Sequence, residues 1–424
     1  MTVTEDVASG ARPWADDEYV LRTLTSPEEE LLVDAVLADA FGLEGLAAGP
    51  PEFSVFEPER NALVEFEGEP VANVGVFTRD LIVPGGRMAA AHMTRGGVRQ
   101  THRRRGLMTR LMNYHLRTAR DEHGEALAVW WASEAKIYRR YGCGLAARNV
   151  GLAVDSREAR IPDLRAGGRL RESEPSAAAE DIRRVYERVL PHRPGWSSRD
   201  RATWAMLLAQ LPMEMRQGYS AQRALLYQDS DGIQGYALWR RKNEWTGDIR
   251  GGEVNVGEVV AATPDAYAAL WDFLLSVDLT RTVRLDFASA EEPLFLLVNE
   301  PRALHATVSD GLWIRILDVP TALAGRRYSA PLDVVLEVRD DMLPENTGRW
   351  RLTVGADGVG RCAATSDAPD LSCDIGVLGA AYLGGTPLGW SAGAGRIREL
   401  RPGALAAASA AFSWPTQPSA LGIF

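Results

Sequence analysis

The chain has 424 residues, with 57 acidic side chains against 47 lysines and arginines and a formal net charge of −10. This balance excludes the generally basic surface that grips nucleic acid, and an acidic field favours cationic small molecules. Three widely spaced cysteines, Cys143, Cys362 and Cys373, fit neither a disulfide framework nor a zinc site, and no run approaches the roughly 20 apolar residues that span a bilayer. A cytoplasmic protein with no metal and no membrane partner is expected.

Residues 1–18 read as a loose tail, with acidic residues and prolines where an export signal would carry an apolar core. Tyr19 to Thr25 alternates as a strand. Ser26-Pro27-Glu28-Glu29 then supplies an N-cap, a proline at N1 and the third-position glutamate of a capping box, which predicts a helix from Pro27 to about Phe41. Gly42, Gly45, Gly49, Pro50 and Pro51 break the next stretch into a loop able to cover a substrate site. Ala62 to Phe66 and Pro70 to Thr78 read as a hairpin around Gly68. Met88 to Val98 is a strand with two glycines near its end, a sign of a bulge or a close backbone approach. Apolar Leu107, Met108, Leu111, Met112, Leu116 and Ala119 recur with one-faced helical spacing until Gly124. Ala126 to Ala132 reads as a buried strand.

The strand and helix meet at Arg103-Arg104-Arg105-Gly106-Leu107-Met108. A helix N-terminus presents free N–H groups and the positive end of its dipole, Gly106 removes a Cβ that would hold a phosphate off, and the arginines add counter-charge. Two readings stand: an anion site, or a basic turn on a solvated face. The order Arg103-x-x-Gly106-x-Met108 resembles the pyrophosphate loop of the GNAT N-acetyltransferase superfamily, although Met108 stands where a small residue is commoner. The resemblance implies coenzyme A contacts from Gly96, Gly97, Val98, Arg103, Arg104, Arg105, Gly106, Leu107 and Met108. Gly96 and Val98 would offer backbone N–H groups to the thioester and pantetheine.

In Ala132-Ser133-Glu134-Ala135-Lys136-Ile137-Tyr138, Ser133 is a candidate cap for a short helix ending at Gly142. A tyrosine here is either core, as Tyr141 would be, or functional. Thr101 to Leu107, Ala132-Ser133-Glu134 with Ile137-Tyr138, Gly311-Leu312-Trp313-Ile314-Arg315 and the final Phe424 together resemble the enhanced intracellular survival (Eis) family of acetyltransferases. The resemblance spans nearly the whole chain. It implies acetyl-CoA as cosubstrate, a small amine acceptor such as an aminoglycoside or polyamine, and a homohexamer. It implies further that Tyr138 is the acid for the departing thiolate and that the α-carboxylate of Phe424 is the base. Trp131, Phe41, Glu44 and Phe53 are candidates for the acceptor pocket. Family members that take aminoglycosides usually carry an acidic residue before the final phenylalanine; Ile423 stands there instead.

Beyond Val154, residues 155–176 read as a linker rich in Arg, Gly, Pro and Ser. Helices near 177–190 and 198–215, strands near 224–228, 235–241 and 253–261, a helix at 264–277 and a strand at 283–287 repeat the first region in outline. Asp265, at the matching turn, would repel a pyrophosphate, so this copy should not bind coenzyme A. Strands near 312–317, 332–339 and 350–354 and helices near 377–383 and 403–412 follow. The expected fold class is α+β (mixed α/β): residues 19–155 a catalytic GNAT domain, 156–305 an inactive GNAT-like domain, and 306–424 a sterol-carrier-protein-like domain. The expected activity is acetyl transfer to a primary amine. A coenzyme A-binding assembly protein without turnover, or a lipid carrier acting through its last domain, are the alternatives.

Overall fold

The computed structural model describes residues 18–43, 55–162, 167–243, 245–246 and 249–424. The chain divides into two compact units, one of Met1–Gly49, Phe56–Val76 and Thr94–His115, the other of Pro50–Val55, Phe77–Met93 and Leu116–Phe424.

The first unit holds β1 (Tyr19–Thr23), α1 (Glu30–Phe41) and β2 (Asn61–Phe66), with parts of β3 (Glu69–Val83), β4 (Gly86–Val98) and α2 (Leu107–Asp121). Its strands run in the order β1-β2-β3-β4. The hairpin from β2 to β3 turns at Glu67 and Gly68, both with positive φ. The predicted helix start is present as a capping box on a short 3-10 turn, Pro27–Glu29, before α1. The Glu29 carboxylate accepts the backbone N–H of Thr25 at 2.7 Å and of Ser26 at 3.3 Å. Gly42, at φ 65°, ends α1. On α2 the predicted apolar residues Leu107, Leu111 and Met112 are buried, as is His115. His115 donates from Nε2 to the Val74 carbonyl at 2.9 Å, and burial pushes its pKa down to about 4.

The second unit begins with the other parts of β3, β4 and α2, then β5 (Leu127–Trp131), α3 (Ala135–Tyr138), β6 (Gly144–Leu145), β7 (Arg148–Asp155) and β8 (Arg169–Ser173). It continues with α4 (Ala179–Val189), α5 (Arg201–Leu208), β9 (Arg223–Asp229), β10 (Gly232–Lys242), β11 (Trp245–Thr246), β12 (Ile249–Arg250) and β13 (Gly252–Ala261). Next come α6 (Pro264–Leu275), β14 (Thr280–Ala288), α7 (Leu294–Leu297), β15 (Thr307–Asp310) and β16 (Leu312–Ile316). The chain closes with α8 (Val319–Ala324), β17 (Leu332–Arg339), β18 (Gly348–Val354), β19 (Gly360–Ala364), β20 (Leu371–Asp374), α9 (Ile375–Ala381), α10 (Leu388–Gly393), β21 (Ile397–Glu399) and α11 (Ala404–Phe412).

These strands build three sheets, in the orders β3-β4-β5-β16-β6, β15-β7-β14-β13-β10-β9-β8 and β19-β18-β17-β20-β21, with β11 and β12 as a separate pair. Two expectations are corrected. The stretch read as a linker contains β8, which pairs antiparallel with β9 from Arg169↔Gln228 to Ser173↔Ala224. Its side chains, polar but for Leu170, are mostly exposed and give no alternating pattern, because among the described residues it is an edge strand paired with β9 alone. Leu312–Ile316, expected to open the last domain, instead lies in the first sheet, antiparallel to β5 and to β6. All five of its residues are buried, so the sequence marks a strand without marking its neighbours.

One continuous core joins the first sheet to the C-terminal region, from Leu81, Leu127 and Val129 through Ile314 and Ile316 to Val334, Leu378 and Phe412. Helix α9 meets β6 and β16 backbone to backbone: a Cβ on Gly144 would lie 2.1 Å from the Ala380 nitrogen. Arg315 and Asp340 add a fully buried ion pair at 2.6 Å, and Asn346 donates to the same carboxylate at 3.0 Å. A second core fills the space under α6 and β14, and a third packs α4 and α5 on β9 and β10.

Candidate active site

In the first unit, β4 ends at Val98, and a 3-10 turn, Gln100–His102, leads to α2. Gly106 precedes the helix at φ 82°, a conformation that favours glycine. The space a Cβ would take there holds nothing within 4 Å. The arginines differ in what they do. Arg103 donates to the carbonyls of Val98 at 3.3 Å and Ala40 at 2.8 Å, which ties the loop to the end of α1. Arg105 donates to the Tyr19 hydroxyl at 2.5 Å and to the Thr101 carbonyl at 3.2 Å. Arg104 is exposed, with φ 62°.

The two strand glycines also differ. A Cβ on Gly97 would meet Leu37 at 3.2 Å and Ala40 at 3.3 Å, so Gly97 lets α1 approach, whereas Gly96 has only ordinary contacts, with Met108 and Val74. Phe41, the last residue of α1, is half exposed. Glu44 and Phe53 lie outside the described residues. The residues present fit a diphosphate: an open glycine corner at the start of a 15-residue helix, with basic side chains around it.

In the second unit, β5 delivers Trp130 and Trp131, and α3 follows. Ser133 does not cap it; Glu134 holds the N-cap position, with no side-chain capping bond. Gly142, at φ 76°, ends the following turn as expected. Tyr141 is buried core, whereas Tyr138 is partly exposed. The Tyr138 ring lies 5.4 Å from Trp130 and 6.4 Å from Trp313, centroid to centroid. Burial raises its pKa, and hydrogen bonds from the Ser133 side chain and backbone work the other way. Trp131 packs edge-on against Phe287 at 5.2 Å.

Phe424 packs against the main core. Its ring centroid is 4.7 Å from that of His92, with the planes at 64°. Neither His92 nor its hydrogen-bond partner Ser197 is among the sequence-derived candidates. The available signal is a lone histidine in the small apolar run Ala89-Ala90-Ala91-His92-Met93 of a central strand.

A slot of about 60 Å³ in the second unit is lined by Trp196, Tyr267, Phe287, Glu292 and, from the tail, Ser419 and Leu421. It adjoins a wider cleft of about 440 Å³ that includes Arg188, His192, Arg193 and Thr416. Arg193 and Glu291 face each other at 3.5 Å. Glu292 is buried with one carboxylate oxygen unpartnered, and burial pushes its pKa up to about 7.

The chain is 33% identical over 415 residues to the N-acetyltransferase Eis of Mycobacterium tuberculosis, an alignment covering 92% of this chain and 96% of that one. It belongs to the Eis family of GNAT N-acetyltransferases. An uncharacterized N-acetyltransferase of Streptomyces avermitilis is 39% identical over 352 residues, covering 82% and 85% of the two chains. The crystal structure of Eis1 from Mycobacterium abscessus superposes with a TM-score of 0.80 at 31% identity, covering 96% of this chain and all of that one. Residues 22–146 and 195–316 each match an acetyltransferase (GNAT) domain, and residues 319–420 match a sterol carrier protein domain. This Eis-family chain is therefore an acetyltransferase with two GNAT domains followed by a sterol-carrier-like domain, and GNAT domains use acetyl-CoA as cosubstrate. Among the described residues no helix is long and apolar enough to cross a membrane.

Proposed function

We propose that the protein transfers the acetyl group of acetyl-CoA to a primary amine of a small cationic acceptor, with Tyr138 as acid and the α-carboxylate of Phe424 as base. The observation that carries this reading is the seating of Phe424. The last residue of the sequence is held against the core and a buried histidine, where chain ends ordinarily fray.

Acetyl-CoA supplies an activated acetyl thioester. The chain's part begins with the Gly106 corner and the first N–H groups of α2, which bind the diphosphate, while Gly96 and Val98 offer strand N–H groups to the pantetheine and thioester. An amine is mostly protonated at neutral pH, so it must lose a proton before it attacks. A free α-carboxyl has a pKa of about 3.5 in small peptides and accepts that proton as a carboxylate. The raised pKa of Tyr138 keeps its hydroxyl protonated through the neutral range, ready to protonate the departing sulfur.

The acceptor class rests on the overall acidic charge and on the aromatic slot with Glu292, since aromatic faces and a carboxylate suit an ammonium group. Exposed Ile423 removes the acidic neighbour associated with broad aminoglycoside use, which favours polyamine-like or more apolar amines. The second GNAT domain takes no donor: at the start of α6, Thr263 already accepts the Ala266 N–H, and Asp265 adds negative charge. A homohexamer, a cytoplasmic location and the absence of a nucleic-acid partner complete the reading, on family resemblance and net charge.

The test is acetyl transfer to a panel of amines, read by product mass, with the chain as given and with a few residues appended after Phe424. Extension converts the carboxylate to an amide. Turnover is expected to collapse while acetyl-CoA still binds; full activity of the extended enzyme on its best amine would reject the terminal base.

A further inference from the structure

We propose that His92 and Ser197 are positioning residues that hold the terminal Phe424 in its working place, and that residues 194–198 of the second GNAT domain form the seat of the tail. The inference rests on the reading of the Phe424 carboxyl as base.

His92 is fully buried on β4. Its Nδ1 lies 2.9 Å from the Ala90 carbonyl and its Nε2 2.7 Å from the Ser197 hydroxyl. A carbonyl only accepts, so Nδ1 carries the proton; in the neutral ring, Nε2 then accepts from Ser197. Two bonds on opposite sides fix the plane of the imidazole against which the Phe424 ring rests.

Ser197 is itself held. Its carbonyl accepts the Tyr186 hydroxyl at 2.7 Å, and its segment is pinned to β3 by Gly195 N–H to the Ile82 carbonyl, Ile82 N–H to the Trp196 carbonyl and Ser198 N–H to the Asp80 carbonyl, each at 2.8 Å. The same segment grips the tail five residues before its end. The Ser419 N–H donates to the Pro194 carbonyl at 3.0 Å, and the Trp196 indole donates to the Ser419 hydroxyl at 3.1 Å. Where Gly195 stands, a Cβ would lie 2.3 Å from the Ser419 carbonyl oxygen. One short segment thus holds the tail directly at Ser419 and, through His92, at Phe424. A displacement of about 1 Å in a reacting group can cost roughly a hundredfold in rate, which gives such a seat a catalytic purpose.

The experiment compares His92→Ala and Ser197→Ala with wild type in three readouts: kcat and KM, release of Phe424 by carboxypeptidase from the native enzyme, and each substitution repeated in a chain lacking Phe424. The expected result is a roughly tenfold to hundredfold fall in kcat, little change in KM for acetyl-CoA, faster release of Phe424, and no further loss where Phe424 is already absent. Wild-type kcat with slow Phe424 release in both variants would overturn the proposal, as would equal losses with and without Phe424, which would mark a purely structural role. Should His92→Ala fail to fold, Ser197→Ala, the loss of one hydroxyl, decides alone. If deletion of Phe424 leaves turnover intact, the base reading falls, and carboxypeptidase protection then decides the seat separately.

Discussion

At the scale of single residues, Tyr138 and Glu292 govern separable properties, turnover and stability. Tyr138→Phe keeps the ring between Trp130 and Trp313 and removes only the hydroxyl. Turnover is expected to fall roughly 10²- to 10⁴-fold, the worth of a general acid, with acetyl-CoA affinity unchanged in calorimetry; turnover within a few-fold of wild type would pass the role to another group. Glu292 makes a claim about stability. Its carboxyl titrates near 7 in the folded chain against 4.5 when exposed, chiefly because burial disfavours the anion. The folded state therefore binds this proton more tightly than the unfolded one, and the contribution to stability is lost as pH rises from about 4.5 through 7. A shift of this size corresponds to about 3 kcal/mol. Glu292→Gln, still able to accept the N–H groups of Ser289 and Leu294 that bond the carboxylate, is expected to raise the melting temperature at pH 8 and to change it little at pH 4.5. Equal melting shifts at both pH values would remove the titration as the cause.

At the scale of elements, the loop before α2 was readable because its signal is local. Gly106, the arginines and the one-faced spacing of Leu107, Leu111 and Met112 lie within a dozen residues, and the structure places all of them at a helix start. Gly106→Asp sets a Cβ in a left-handed position, at a cost of about 1–2 kcal/mol, and a carboxylate at the helix N-terminus, so acetyl-CoA binding is expected to be lost while the protein still folds, with a melting temperature lowered by a few degrees. Unchanged donor affinity would refute the loop assignment. The capping box at Ser26 and Glu29 was legible for the same local reason. What could not be read were partnerships made across the chain: β8, paired among the described residues with β9 alone; Leu312–Ile316, apolar but for Arg315 and silent about its sheet; and His92, whose distant partners stand 105 and 332 positions away at Ser197 and Phe424. The cap at Ser133 failed in the opposite way, since an acceptable cap residue stood one position too early.

At the scale of the whole molecule, the second GNAT domain and the last domain are structural necessities for the first. β16 sits between β5 and β6, and α9, Arg315 and Asp340 bind that sheet to the C-terminal region within one core. A fragment ending at residue 155, although it holds the entire first GNAT sequence match, leaves β5 and β6 without the strand that joins them. It is expected to aggregate on expression where the full chain stays dispersed under the same conditions; a well-dispersed, cooperatively melting fragment would contradict this.

The position of β16 also sets a schedule. Ribosomes add about 5 to 20 residues per second, so the strand that closes the first sheet is made roughly ten to thirty seconds after β6. Through that interval the nascent N-terminal domain has an unfilled gap in its sheet, and Phe424, the residue proposed to complete the chemistry, is made later still. If Phe424 supplies the base, a chain cut short of it folds around β16 yet lacks the group proposed to take the amine's proton.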